Sequence, residues 1–503
     1  MKEVRIALTV ALLCIGKISY TQTTVFNKVY NYNNFHDAAF DVIETYDGNF
    51  LFVGGSSLGG DNRTLIVKLD NNGDTLWSKK YDLSIGGDNA HNVIELTNGN
   101  FLLCGSLHDT ATVTAKGYLM LVNAQGDSLW IQQYASGSGA NADLARNLVL
   151  APDGGFVVSG WSWLAPSLTT SDAWVFKTDS LGNLLWEKQF DGYGLEDKFD
   201  KVIITPDGNI ICAGVTVINA VTGLDYVVKL NQQGDTIWTR EFGGIGGGGI
   251  FDLNNTQDGG FIGCGATEGA IGDQRASVYK LDSLGNLLWY NTYARGSGVG
   301  EYYSFSAIHE LPNGNFMAAG VDFDYTQVPS KPRERLMMFD ALGDSLWSKQ
   351  YTHYGDSSED YLLNMKPTSD GGFIFCGYII NSGSPLRNDA WIVKVDSNGC
   401  DNIPCQLSVG LSEEEELRIM NKELKVYPNP ANDWLTISID NYLSNSIVIE
   451  VFDLMGKQML SEIKTPSNNK IKMNTSTFSN GIYLFRLIFQ DGTTDVFKVS
   501  VNR

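Results

Sequence analysis

The chain has 503 residues, with 57 acidic against 36 basic side chains and a formal net charge of −21. That balance opposes binding to phosphate backbones and to anionic membrane surfaces, so nucleic-acid partners are excluded. The length exceeds one ordinary domain, and 54 glycines describe a chain made of many turns.

Residues 1–22 carry Lys2 and Arg5, then an apolar run from Ile6 to Ile15, then small and polar residues. This pattern reads as a secretory signal peptide. Cys14 follows Leu13 inside the apolar run, which does not suit a lipid-attachment site. No other stretch approaches about 18 uninterrupted apolar residues, so no transmembrane anchor is expected.

Residues 23–400 repeat seven times. The unit is phased by Gly48, Gly99, Gly154, Gly208, Gly259, Gly314 and Gly371. Two residues after each comes Phe or Ile, and six after it comes glycine again, from Gly54 to Gly377. A later turn ends in Gly73, Gly126, Gly182, Gly234, Gly285, Gly343 or Gly399. Short β-branched runs separated by Asp/Asn-Gly turns predict strands, and a fixed period of this size predicts a repeat architecture. The fourth run reads Trp-x-x-x-aromatic, as in Trp77/Tyr81, Trp130/Tyr134 and Trp186/Phe190. Positions i and i+4 share a strand face, so both rings can pack on a neighbouring sheet. Four short strands per unit, seven times over, predict an all-β fold with a seven-bladed β-propeller.

The seventh unit runs in phase to Gly399 and then meets Cys400, without a Trp-x-x-x-aromatic run. The missing strand stands at the other end, where Phe26-Asn-Lys-Val-Tyr30 has the spacing of Trp77-Ser-Lys-Lys-Tyr81. An N-terminal strand completing the last blade would close the ring and remove two sheet edges. Cys104, Cys212, Cys264 and Cys376 recur at blade spacing, which suits buried small hydrophobes rather than metal or redox sites. Cys400 and Cys405 lie close together where the ring ends, and a disulfide between them is expected in an exported protein.

Residues 401–423 break the period and contain Ser412-Glu-Glu-Glu-Glu416, as an acidic linker would. In residues 424–503, short alternating strands and turns predict a small C-terminal β-sandwich. Tyr427-Pro-Asn-Pro-Ala-Asn-Asp433, Val451-Phe-Asp-Leu-Met-Gly-Lys457 and Asn480-Gly-Ile-Tyr-Leu-Phe-Arg-Leu487 follow in that order. Together they resemble the type A sorting domain of the type IX secretion system of Bacteroidota. The resemblance implies handling by that machinery through residues 424–503, removal of this domain, and release from or attachment to the outer cell surface. The seven units also resemble D-G-G-[FY] repeats of exported bacterial and archaeal surface proteins, a family that implies a fold more than a function. The sixth unit departs from that pattern with a basic, proline-containing stretch at 328–335.

Few residues suggest chemistry. His36, His91, His108, His309 and His353 are scattered without metal spacing, and no hydrolase, zinc-protease or phosphate-loop motif is visible. No metal and no cofactor are expected. Asp70-Asn-Asn-Gly-Asp74 and its equivalents lack the oxygen series and late Glu of a calcium loop, and read as turns. Eleven residues before the phasing glycines stand Asp37, Asp88, Asp143, Asp197 and Asp360, with Gly248 and Tyr303 in the other two units. Five carboxylates could ring one channel mouth; the alternative is that each caps its own turn. Second-to-third-strand and inter-blade connections vary, and both emerge on one face. Trp161, Trp163, Tyr193, Tyr302, Tyr303 and Tyr325 fall in or beside them, where exposed rings would stack on sugars and buried rings would fill gaps between blades. The expected function is therefore that of a secreted or cell-surface binding propeller without catalysis, its ligand a glycan, a peptide or another envelope protein. The rival is a secreted glycan hydrolase or lyase using the Asp ring, and a purely structural matrix role is the third reading.

Overall fold

The computed structural model describes residues 24–32, 36–58, 61–84, 86–109, 114–136, 142–163, 170–219, 222–243, 248–268, 274–293, 301–324, 332–354, 358–381, 387–402, 418–419, 422–439, 446–453, 458–467, 469–488 and 494–502. The expected signal peptide, Cys405, Tyr325 and Ser412–Glu416 lie outside them. Every regular element among the described residues is a β-strand. The chain forms two compact units that divide between residues 407 and 408.

The first unit is built of antiparallel four-stranded blades. The first consists of His36–Glu44, Phe50–Leu58, Asp61–Leu69 and Thr75–Tyr81, paired in that order. Five more follow the same order, and the seventh starts with Ser358–Pro367, Phe373–Asn381 and Asn388–Val395. Its fourth strand is Phe26–Tyr30, antiparallel to Asn388–Val395 with Phe26 opposite Lys394 and Tyr30 opposite Ala390. The last and first blades also share a core, in which Phe26, Tyr30, Ile374 and Ile392 pack with Val42, Phe52 and Leu65. Single parallel bridges link blade two to three, Ala115 to Ala142, and blade five to six, Gln274 to Tyr302. The unit is thus a seven-bladed propeller.

Central strands are apolar on both faces because a blade lies on each side of them; Phe101–Leu107 is buried throughout. The outer strands mix exposed and half-buried positions, and their aromatic pair joins each blade to the next. The Tyr134 hydroxyl donates to the Gly182 carbonyl at 2.6 Å, and Tyr30, Tyr293 and Tyr351 bind Gly73, Gly343 and Gly399 at 2.5–2.6 Å. The Trp130 ring covers the same Gly182, whose φ is +82° and whose added Cβ would fall 3.1 Å from the indole. Glycine is therefore required there both for the left-handed turn and for the closeness of the ring.

A second device works across the blades. Lys68, Lys177, Lys229, Lys280 and Lys394 are buried in the third strands, and each forms an ion pair of 2.5–3.0 Å with Asp47, Asp153, Asp207, Asp258 or Asp370 in its own first turn. Blades two and six have Asn98 and Asn313 in place of the aspartate, and there the lysine is replaced by Leu121 and Met338. The charges are therefore kept or lost as pairs. Asp258→Asn alone strands a buried ammonium, and a loss of about 2 kcal/mol is expected, because Asp258 itself stays half in water. Lys280→Met added to Asp258→Asn should recover most of it in chemical denaturation; equal instability of the single and double variants would contradict the pairing.

Cys104, Cys212, Cys264 and Cys376 are buried free thiols. Cys400 is disulfide-bonded. In the second unit, two four-stranded sheets face each other. One orders Arg418–Ile419, Lys422–Tyr427, Trp434–Ile439 and Lys470–Asn474; the other orders Gln458–Lys464, Ile447–Asp453, Gly481–Ile488 and Thr494–Val501. Alternate residues Leu435, Ile437, Ile449, Val451, Phe485 and Val499 fill the space between them. The short hairpin at Arg418–Ile419 lies within the span read from sequence as linker.

Candidate ligand site at the channel mouth

The innermost strand of every blade carries a β-bulge at the same place, between Ala39 and Asp41, Ala90 and Asn92, Ala145 and Asn147, Phe199 and Lys201, Ile250 and Asp252, Phe305 and Ala307, and Leu362 and Asn364. The partner strand presents the second recurring glycine here; a Cβ on Gly160 would lie 1.8 Å from the Leu144 carbonyl oxygen. The extra residue re-aims a side chain, as bulges do. Phe40, His91, Arg146, Asp200, Phe251, Ser306 and Leu363 accordingly line a cavity of about 220 Å³, with Asn147, Lys201, Asp252 and Asn364 beside them.

The cavity wall is stitched from blade to blade. Asp41 accepts from Val93 N at 3.0 Å and Asn364 Nδ2 at 2.9 Å, Asn92 Oδ1 accepts from Leu148 N at 3.1 Å, and Asn147 Oδ1 from Val202 N at 3.2 Å. Lys201 Nζ stands 2.7 Å from Asp252, which also accepts from Ile308 N at 2.9 Å. Arg146 Nε stands 3.3 Å from Asp200. Burial pushes the Asp200 carboxyl up, against Arg146 and Lys198, which favour its charged form. Burial also pushes Asp252 up, but Lys201 and His309 outweigh it and leave the carboxyl below its ordinary value. His91 is lowered to about 3 by burial, with the charge of Arg146 adding to the effect.

Trp161 and Trp163 end the second strand of blade three, Phe156–Trp163, on one face two residues apart. Their rings meet edge to face at 5.9 Å and 84°. Lys198 Nζ lies 5.2 Å from the Trp161 ring centre and 5.9 Å from that of Trp163, and it pairs with Glu196. Lys198 precedes Asp200 by two residues on the inner strand Asp197–Ile204. An aromatic and cationic rim thus runs on to the Arg146–Asp200 pair of the cavity wall.

The remaining candidates lie elsewhere. Tyr193 is 51% exposed and donates to Glu241 Oε2 at 2.8 Å, which turns it towards the outer strand of blade four. Tyr302, in blade six, is 38% exposed and stands edge-on to Phe323. Tyr303, the next residue on that strand, faces the other way and is 3% exposed, between Phe305 at 5.0 Å and the Arg335 guanidinium at 5.8 Å. It is a packing residue, not a surface ring.

The five recurring aspartates do not line the mouth as open carboxylates. Asp37, Asp88, Asp197 and Asp360 have no exposed surface, and Asp143 is 1% exposed. Asp37 accepts from Tyr32 N at 2.7 Å, Asp88 from Ser84 N at 3.2 Å, Asp143 from Ser136 N at 2.9 Å and Asp197 from Gly192 N at 3.0 Å. Each of these four caps the connection that enters its own blade. Burial nevertheless pushes the Asp37, Asp88 and Asp197 carboxyls up. Lys198, Asp200, Arg146 and Lys201 were not singled out by the sequence; their common signal is a place seven, eight or ten residues before a phasing glycine.

Comparison with known proteins places residues 425–502 in a family described as the secretion system C-terminal sorting domain. One curated relative, an endo-acting ulvan lyase of Formosa agariphila, is 24% identical over 148 residues, 29% of this chain. The chain matches only 25% of that relative's length. Similar solved structures include a protein of unknown function from Dyadobacter fermentans, at 13% identity and a TM-score of 0.44, over 74% of this chain and 98% of that one. Another is the β-propeller domain of the Trilobed protease from Pyrococcus furiosus, at 9% identity and a TM-score of 0.40, over 73% and 94%. The C-terminal unit is a sorting domain, and the protein is secreted or carried to the outer surface. Among the described residues no helix is long and apolar enough to cross a membrane.

Proposed function

We propose that the propeller is a non-catalytic glycan-binding module that takes its ligand at the rim between blades three and four. The observation that carries this reading is the pair of indoles, Trp161 and Trp163, set at right angles beneath Lys198 at the edge of the central cavity. Ring faces stack on the apolar faces of sugars, and an adjacent ammonium and carboxylate supply directional hydrogen bonds. Several nearby carboxylates are committed: Asp200 to Arg146, Asp252 to Lys201, and Asp143 and Asp197 to backbone N–H groups. Asp172, cross-strand from Ser162 between the two indoles, is not among them, and burial raises its carboxyl to about 6, with Asp191 and Asp197 adding to the effect.

A second reading keeps a glycan ligand but adds turnover. It is favoured by the raised Asp200 carboxyl and by the stretch of similarity to an ulvan lyase. The test is a polysaccharide array probed with the exported chain, followed by product analysis. Saturable binding without products, weakened at least tenfold in Trp161→Ala/Trp163→Ala, is the expected result. Products that vanish in Asp200→Asn would replace binding with catalysis, and no glycan bound at all would remove both readings.

A further inference from the structure

The outward face of the first sheet of the C-terminal unit differs in charge from the rest of the chain. Its exposed positions are Lys425 and Tyr427 on one strand, Trp434 on the next, and Lys470, Lys472 and Asn474 on the third, with half-buried Thr436 between them. Register places Thr436 opposite both Tyr427 and Lys472, and Trp434 opposite Asn474, so these side chains form one compact patch. Lys472 Nζ lies 4.6 Å over the Trp434 ring, and Lys470 Nζ lies 6.0 Å from that of Tyr427. Glu423, two residues before Lys425, is the one acidic residue on these three strands, although acidic residues outnumber basic ones 57 to 36 in the whole chain. In the opposite sheet Arg486 pairs with Glu450 and Lys464 with Glu462, whereas among the described residues Lys470 and Lys472 form no ion pair.

We propose that this face docks an acidic polysaccharide, carboxylated or sulfated. The inference stands apart from the propeller site and does not depend on it. Two lysines at i and i+2 project about 6.7 Å apart along a strand, a rigid cationic edge for repeated anionic groups. Trp434 is 48% exposed and Tyr427 42%, which leaves ring surface for sugar faces beside those ammonium groups. The acidity of the remaining chain does not prevent approach, since charges further than about 8 Å are largely screened at physiological salt.

The test uses the full chain purified with residues 424–503 retained, with alginate, dextran sulfate and neutral dextran immobilised in turn, and anionic phospholipid vesicles as a fourth surface. Binding to alginate or dextran sulfate but not to dextran is expected. Lys470→Gln/Lys472→Gln should weaken it at least tenfold and flatten its salt dependence by about two charges' worth of counterion release. Trp434→Ala should weaken it with the salt slope unchanged. Thermal melts matching the parent would show that these exposed replacements leave the fold intact. Retention unaffected by these variants, equal binding to neutral dextran, loss in Trp161→Ala/Trp163→Ala instead, or binding to vesicles alone would each overturn the proposal.

Discussion

Removal of residues 24–31 is expected to abolish the cooperative thermal transition of the propeller, or to lower it by well over ten degrees. Phe26 and Tyr30 are 6% and 8% exposed, and burying each such ring contributes about 1.5–3 kcal/mol. The strand also brings a five-residue ladder against Ala390–Lys394, the Tyr30 bond to Gly73, and the Asn27 side chain that accepts from Trp391 Nε1 at 2.8 Å. Its loss would bare the last blade along an entire edge and strip the cover from Gly73 of the first. The sum is of the same order as the whole stability of a typical domain, about 5–15 kcal/mol. A synthetic peptide spanning residues 24–32 should restore the transition in a concentration-dependent way. A truncated chain that melts like the parent would show that the strand is dispensable.

The second large effect concerns pH. Asp225 sits in the third strand of blade four, Thr222–Leu230, 3% exposed, and burial pushes its carboxyl up to about 8, with Tyr290 pulling modestly the other way. Between about pH 4 and 8 the folded chain therefore holds a proton that the unfolded chain releases. Stability must fall as pH rises through that window, and the full penalty is present above it. Asp225→Asn cannot ionise. It should match the parent near pH 4 and exceed it by up to about 5 kcal/mol at pH 9. Denaturation curves of the two proteins that shift in parallel from pH 5 to 9 would refute the assignment. The equivalent third-strand positions in blades one, two, three, five and seven hold Thr64, Gly117, Ala173, Ala276 and Ala390, so the cost is local to blade four and its counterpart Glu334 in blade six.

Most of the propeller was legible because its rules are steric and repeat. Gly182 must be glycine wherever a neighbour's indole lies on it, and Tyr134 must be aromatic wherever it spans to the next turn, so both leave a periodic trace. Phe26 and Tyr30 were recognisable at the far end of the chain for the same reason. The channel was not legible, for the converse reason. The bulge position holds Phe40, His91, Arg146, Asp200, Phe251, Ser306 and Leu363, six residue types at one geometrical place, and variation of that kind looks like noise beside the glycines. The aspartates left two readings open, an open ring and a set of turn caps, because recurrence reports that a residue is needed in each blade without reporting which way it faces; the structure shows caps at Asp37, Asp88, Asp143 and Asp197. Asp37, Asp88, Asp143 and Asp197 recur to tie down a turn, and that work is done inside the protein. At Tyr302 and Tyr303 the ambiguity is a single residue, since neighbours on a strand point to opposite sides and only the blade's packing decides which is covered.

The pairing of Phe26–Tyr30 with Asn388–Val395 also acts as a test of completeness. The first strand made has no sheet to join until the last blade exists, so a chain cut short or stalled before Val395 keeps two raw edges and an unsealed first blade. Such a product remains open to proteases and holding chaperones at any stage of its passage out of the cell. Only a chain carrying every blade can withdraw both edges at once, so the closed ring is itself a measure of full length.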